Sequence, residues 1–339
     1  MHKHENSQKL KIAVVGATGY SGLELFRLLK KHPLVQQIHL FATKADKEIK
    51  AISELGQFLE NLDVVFLATP AEISAELAPM IISKSVHVID LSGGHRLNND
   101  EYEQWYKFNH PEIQILEKSI YGLVPWINKQ EIQESQLIAN PGCYATATLM
   151  GLLPLLSHNL IENDSIVIDA KSGTTGAGKK GHESQIFSEV DGECLPYKVG
   201  EHQHLPEIKK YVELYTGHKI DPFFTTHLLP VRRGIIAGIY GKLKKGITES
   251  DVEIAMTEFY QNYPLVKFKS GMDKDLVTLK KVVGTAEVHI TYKVLGNKLY
   301  LFSCLDNLLK GAASQAVENL NLIYNNPIDL GLTHLEAIV

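Results

Sequence analysis

The sequence predicts an α/β protein: a Rossmann-type, doubly wound parallel sheet followed by a second α+β domain with a mixed or antiparallel sheet. Three observations carry this. Apolar strands alternate with helical segments through roughly the first 140 residues. A glycine-rich turn stands between the first strand and the first helix. Beyond Asn140-Pro141-Gly142 the strands lengthen and alternate in polarity, and the last two meet at Gly296-Asn297-Lys298, a hairpin turn.

In chain order, KIAVVG (11–16) is a buried strand ending in glycine, and Ser21 to Lys31 carries an apolar helical face closed by His32-Pro33. QQIHLFAT and LDVVFLAT (62–69) are further strands, then a helix from Ala71 to Ile82 and the strand VHVIDLS (86–92). A helix through Cys143 to about Leu156 opens the second part, and SIVIDAKSG (165–173) follows it. FFTTHLLPV, RGIIAGIYGKLK, EVHITYKVL and LYLFSC complete that sheet. Ser250-x-x-Glu253 reads as a capping box for a helix to Tyr260. A last helix, capped near Asp306, shows a wide apolar face with small residues suited to close packing.

Composition narrows the function classes. A length of 339 residues suffices for two cores, and 44% apolar with 22% charged residues is ordinary for a globular chain. The net charge of −5 lacks the basic footprint of a nucleic-acid binder. No apolar run reaches the roughly eighteen residues of a membrane span. The polar start MHKHENSQKL lacks a secretory h-region and reads as a frayed tail. Cys143, Cys194 and Cys304 are odd in number and widely spaced, which fits a reducing cytoplasm rather than a disulfide framework. No metal-ligand spacing stands out, so no metal site is expected.

Gly16-Ala-Thr18-Gly19-Tyr20-Ser21-Gly22 lies between strand and helix, where glycines admit a pyrophosphate to the backbone and the helix start supplies unpaired N–H groups. Its spacing is GxxGxxG rather than GxGxxG, so the alternative is a structural turn. The second strand ends at Thr43 and Lys44 with no acid to clamp a ribose hydroxyl, which favours the 2′-phosphate of NADP(H). The alternative is that Lys44 is a solvated loop charge.

Chemistry concentrates at Asn140-Pro141-Gly142-Cys143. Asn140 is read as the helix cap and Pro141 as its first residue, which sets Cys143 in the first turn, where the dipole favours thiolate. Gly200-Glu201-His202-Gln203-His204-Leu205-Pro206-Glu207, read as a polar loop, offers acid/base groups; either His202 or His204 could serve, with Glu207 orienting His204. The segment Gly173 to Lys180 nearly spells a phosphate-binding P-loop, but Lys180 replaces the magnesium-binding hydroxyl. A flexible glycine loop closing over cofactor or substrate suits it better.

Together these residues resemble the N-acetyl-γ-glutamyl-phosphate reductases of the semialdehyde dehydrogenase group. The resemblance rests on GATGYSG, DVVFLATP, DLSGGHRL, NPGCY, KSGTTGAGKK, HQHLPEI and DNLLKGAASQAVENLN in this order. It implies an NADP-binding Rossmann domain over 1–143, a catalytic and oligomerisation domain over 144–305, and a C-terminal helix, 306–339, returning to the first. It further implies Cys143 as nucleophile, His204 as acid/base with Glu207 beside it, Arg96 as the phosphate-handling group, and Asn307 near the nicotinamide. Asn140 and His202 are expected to contact substrate, Gly173 the cofactor. The family usually has Arg at position 203 and an aromatic or acidic pair at Gly93-Gly94; the first departure is expected to alter how the substrate carboxylate is held, and the second to leave Arg96 on a permissive loop. The expected reaction is NADPH-dependent reduction of an acyl phosphate to a semialdehyde and phosphate through a Cys143 thioester, in a homodimer or homotetramer. The N-acyl group is open: acetyl, or a bulkier one. The rivals are an aspartate-semialdehyde dehydrogenase, a non-catalytic NADP-binding regulator and, more remotely, a P-loop phosphotransferase.

Overall fold

The computed structural model describes residues 9–179, 187–273 and 276–333. Two compact units emerge: one takes the chain up to Asn140 together with Ala313–Thr333, the other spans Pro141–Ala312.

The first unit holds seven strands: β1 (Leu10–Val15), β2 (Val35–Ala42), β3 (Ile49–Ala51), β4 (Val64–Leu67), β5 (His87–Asp90), β6 (Ile120–Tyr121) and β7 (Leu137–Ala139). They run in the order β3-β2-β1-β4-β5-β7-β6, and every pairing is parallel. All four residues of β4 are buried, as expected of a parallel sheet covered on both faces. Ala13, Val15, Phe41, Val65, Leu67 and Val88 from the strands meet Ala78 and Ile81 of the helix Ala71–Ile82 in one core. That helix has the bounds the periodicity predicts. The C-terminal helix Ser314–Ile323 packs on the first helix, Tyr20–Lys30, and is buried along its whole length. Its polar side chains therefore need partners: Gln315 Nε2 and Asn319 Nδ2 donate to Gly122 O at 2.8 and 3.0 Å.

The second unit carries β8 (Val167–Ser172), β9 (Leu195–Pro196), β10 (Phe223–Leu228), β11 (Ile235–Lys242), β12 (Val266–Ser270), β13 (Val288–Leu295) and β14 (Lys298–Leu305). Their order is β12-β13-β14-β11-β8-β10-β9. The sheet is mixed: β8 with β10 and β12 with β13 are parallel, and the other pairs antiparallel. Gly296 takes φ +62° in the β13–β14 turn, the left-handed geometry a tight hairpin needs. The helix Cys143–Ser157 is buried from Tyr144 to Leu156 and packs on β11, β14 and the helices His204–Thr216 and Glu249–Tyr260.

Three local expectations are corrected. The segment read as a polar loop from Gly200 to Glu207 turns into a helix at His204. Pro206 sits in the first turn, where its missing N–H has no intrahelical partner to lose. The box that opens the helix to Tyr260 is Thr248 with Asp251, whose carboxylate accepts from both Thr248 N and Oγ1 at 2.7 Å, rather than Ser250 with Glu253. Before Ser314 the last helix is wound as a π-turn over Leu309–Ala313.

Candidate active site

In the first unit the glycine turn is shaped by contacts that exclude side chains. Gly16 has φ +89°, and a Cβ there would lie 2.2 Å from Ala68 O; one on Gly22 would lie 2.3 Å from Gly16 O. Gly19 N–H donates to Gly16 O at 3.0 Å and Gly19 caps the helix Tyr20–Lys30. The first helical turn contains no acid, so its amides at Tyr20, Ser21 and Gly22 form a positive helix start suited to a phosphate oxygen. Thr18 lies in the same turn. Thr43 and Lys44 follow β2 directly and both are exposed. The nearest following acid, Asp46, accepts from Glu48 N and Ile49 N at 2.8 Å each, an Asx turn that engages its Oδ1. These residues fit a nicotinamide dinucleotide.

The loop after β5 is not permissive. A Cβ on Gly93 would fall 2.0 Å from Tyr106 Oη, and one on Gly94 would fall 2.8 Å from Ala71 O. His95 and Asp90, both fully buried, pair at 2.7 Å, and Asp90 also accepts from Ser92 N. Arg96 is thereby held rigidly: Nε donates to Asn140 O at 2.8 Å and Nη2 to Leu91 O at 2.7 Å. Asn140 does not cap the following helix. Its N–H donates to Asp90 O, and its Oδ1 accepts from Asn319 Nδ2 at 3.1 Å.

In the second unit the cap is Gly142, and Cys143 is the first helical residue. Glu207, fully buried, accepts from Gly142 N–H through Oε1 at 2.7 Å. Glu207 thus holds the backbone beside the nucleophile, and it stands three residues after His204 in the same helix. That bond joins the starts of two helices, one opening on Cys143 and the other on His204. Tyr144, next to the thiol, lies 5.2 Å from the His202 ring and 6.0 Å from the His204 ring, centroid to centroid. Tyr197 Oη donates to Tyr144 Oη at 2.9 Å. Burial raises both phenols, helped by Cys143 in each case and by Tyr197 in the case of Tyr144, so they stay protonated.

The two histidines are separated by their surroundings. His202 Nδ1 accepts from His204 N–H at 3.1 Å, which requires the tautomer protonated on Nε2. Burial, followed by the charges of His204 and Lys198, pushes His202 down to about 2. It is a neutral, fixed ring at any physiological pH.

Cys143 is half-buried, Cys194 exposed, and Cys304 buried, where desolvation pushes the thiol up to about 12. The π-turn supplies a contact that sequence reading missed. A Cβ on Gly311 would lie 2.7 Å from Cys143 Cβ, so the backbone of residue 311 is the wall against which the cysteine stands. Asp306 anchors this turn: it accepts from Leu308 N and Gly284 N at 2.8 Å and pairs with Arg233 at 2.9 Å. The run KGAASQA signals close packing, but not its partner. Asn307 bridges two loops, accepting from Gly234 N at 2.8 Å and donating to Thr175 Oγ1 at 3.0 Å.

The glycine loop, expected to be flexible, is tied down over its first part. Gly173 N, Thr174 N and Thr175 N donate to Gly234 O, Val231 O and Arg232 O. A Cβ on Gly173 would meet the Arg232–Arg233 backbone at 2.6 Å. Lys180, the position that argued against a P-loop, lies outside the described residues.

Comparison with known proteins agrees with both halves. The family model described as "Semialdehyde dehydrogenase, NAD binding domain" matches residues 11–135, and that described as "Semialdehyde dehydrogenase, dimerisation domain" matches residues 143–307. N-acetyl-gamma-glutamyl-phosphate reductase of Geobacillus sp. (strain WCH70) is 40% identical, with 95% of this chain and 98% of the relative covered. The chain belongs to the N-acetyl-γ-glutamyl-phosphate reductase family. The Streptococcus thermophilus reductase is 39% identical, covering 93% of this chain and 95% of its own length. Aspartate semialdehyde dehydrogenase II of Vibrio cholerae shares the fold with a TM-score of 0.74 at 18% identity, over 94% of this chain and 99% of that one. Membership of the reductase family makes the chain an oxidoreductase with a nicotinamide-binding domain, and among the described residues no helix is long and apolar enough to cross a membrane.

Proposed function

We propose that this chain reduces N-acetyl-γ-glutamyl phosphate to N-acetylglutamate semialdehyde and phosphate, with NADPH as reductant and Cys143 as nucleophile. The observation that carries the reading is Cys143 as the half-buried first residue of a helix whose start is joined, through Gly142 and Glu207, to the helix that opens on His204.

The Cys143 thiolate attacks the γ-carbonyl carbon, the bond to the phosphate oxygen breaks, and a thioester remains. The helix start that Cys143 opens favours the anionic sulfur. Arg96 is the group assigned to the departing phosphate; its two backbone bonds fix the plane of the guanidinium. Reduced nicotinamide, when bound, supplies the hydride that a thioester carbon accepts more readily than a carboxylate does. His204 protonates the resulting oxygen or assists its collapse, which expels the thiolate and frees the aldehyde. His204 is preferred as that acid over His202, which burial keeps neutral and whose Nδ1 orients His204 by accepting its backbone N–H. Glu207 acts by holding the Gly142 amide. Gly16, Thr18, Gly19, Tyr20, Ser21 and Gly22 would hold the pyrophosphate, and Thr43 and Lys44 the 2′-phosphate. Gly173 and Asn307 shape the cofactor side, and Asn140 the substrate side. A reducing cytosol suits three cysteines that form no disulfide, and a homodimer or homotetramer suits a match to a domain described as one of dimerisation.

The test is NADP reduction with N-acetylglutamate semialdehyde and phosphate, on wild type and Cys143→Ser. Turnover should be confined to the wild type and require phosphate. Full activity in the serine variant excludes covalent catalysis at this residue, and preference for aspartate semialdehyde would move the chain to the rival substrate.

A further inference from the structure

A cation stands beside the histidine pair without an acid to neutralise it. Lys198 follows Tyr197, whose hydroxyl bonds Tyr144, and its backbone takes φ +46°, a left-handed geometry that non-glycine residues adopt sparingly. The turn is closed through its carbonyl, which accepts from Glu201 N at 3.0 Å. The ammonium donates to Gln203 Oε1 at 2.9 Å, a neutral partner. No carboxylate among the described residues pairs with it; the residue is exposed, open to a ligand from solution, and what desolvation its neighbours impose lowers its proton affinity. Its charge reaches inward, for it is one of the groups that keep His202 neutral.

We propose that Lys198 and Gln203 together form the subsite that binds the substrate's free α-carboxylate and sets specificity for acylated amino acids that carry one. The claim rests on the function proposed above and adds the group that recognises the non-reacting end. The chemistry is specific. Because Gln203 Oε1 accepts from Lys198, the amide turns its Nε2 donors outward, so an ammonium and an NH₂ stand side by side. That donor set matches the two oxygens of a carboxylate, as a guanidinium does, with the charge on Lys198 and the geometry on Gln203. The pair also explains how this chain functions with glutamine at position 203. The cation comes from five residues upstream and is held in place by the glutamine.

The experiment runs the reaction toward NADP reduction with two aldehydes: N-acetylglutamate semialdehyde, and 4-acetamidobutanal, which is the same molecule without the carboxylate. Wild type, Lys198→Ala, Lys198→Arg and the double variant Lys198→Ala/Gln203→Arg are compared, each checked for an unchanged melting temperature. Lys198→Ala should raise KM for the carboxylated aldehyde by about 10- to 100-fold with kcat nearly constant, and leave 4-acetamidobutanal unaffected. Lys198→Arg and the double variant should recover most of the discrimination. Equal losses on both aldehydes in Lys198→Ala, or no loss on either, overturn the subsite while leaving the reaction standing. A wild type that turns over neither aldehyde overturns the reaction itself.

Discussion

The glycine turn of the first unit and the Pro-Gly turn of the second both end in a helix start, yet they put that start to opposite uses. At Gly16–Gly22 the turn is kept bare: two glycines have no room for a Cβ and the first helical turn has no acid. The positive end of the helix is left for an anion that arrives from solution. At Gly142–Cys143 the start is filled from within. Glu207 takes the cap amide, the thiol occupies the first helical position, and Gly311 closes one side. The same backbone electrostatics thus serve binding where the chain leaves space and reactivity where it fills it.

Substitutions can break this contrast in order of expected effect. Cys143→Ser should lower turnover by at least about 10³-fold while cofactor binding, read by nicotinamide fluorescence, is retained. Gly16→Ala should do the reverse in kind: a Cβ driven into Ala68 at a left-handed φ should cost roughly 2–4 kcal/mol in urea unfolding and abolish cofactor binding, while alkylation of Cys143 in the protein that remains folded persists. Glu207→Ala leaves the buried Gly142 amide without its acceptor, at about 1–3 kcal/mol, and should reduce kcat more than KM; Glu207→Gln, which keeps an acceptor oxygen, should recover part of both.

A smaller effect concerns acid. His202 titrates near 2 when folded and near 6.5 when unfolded, so between those values the unfolded chain binds more protons and stability falls as pH falls. His110, pushed down to about 4 chiefly by burial, acts in the same direction between 6.5 and 4. Each contributes a slope approaching about 1.4 kcal/mol per pH unit well below 6.5. Urea midpoints from pH 7 to pH 5 should show the decline, and His202→Phe should make it shallower while the share of His110 remains.

Much of this was legible in the amino acids. Strand and helix periods place the parallel sheet, and the bounds of Ala71–Ile82 are reproduced because the apolar spacing carries them. NPGCY places a thiol at a helix start, although the cap is Gly142 and Asn140 is held by Asp90 and Asn319 instead. What was hidden depends on contacts between distant residues. Gly311 against Cys143 and Glu207 on Gly142 join positions 168 and 65 residues apart, which no local pattern encodes. Gly93-Gly94 suggests freedom by composition, whereas Tyr106 and Ala71 remove it by packing. The helix at His204 was masked by its first turn, whose buried His204 and Glu207 are polar, while the apolar periodicity of Ile208, Tyr211 and Val212 begins only beyond them.

The central claim is that the helix start activates one thiol above its peers. Iodoacetamide labelling of the native protein at pH 7, followed residue by residue by mass spectrometry, tests it directly. Cys143, though half-buried, should react about tenfold faster than exposed Cys194, with Cys304 unlabelled. If Cys143 labels no faster than Cys194, the thiol is not activated and the account fails at its root.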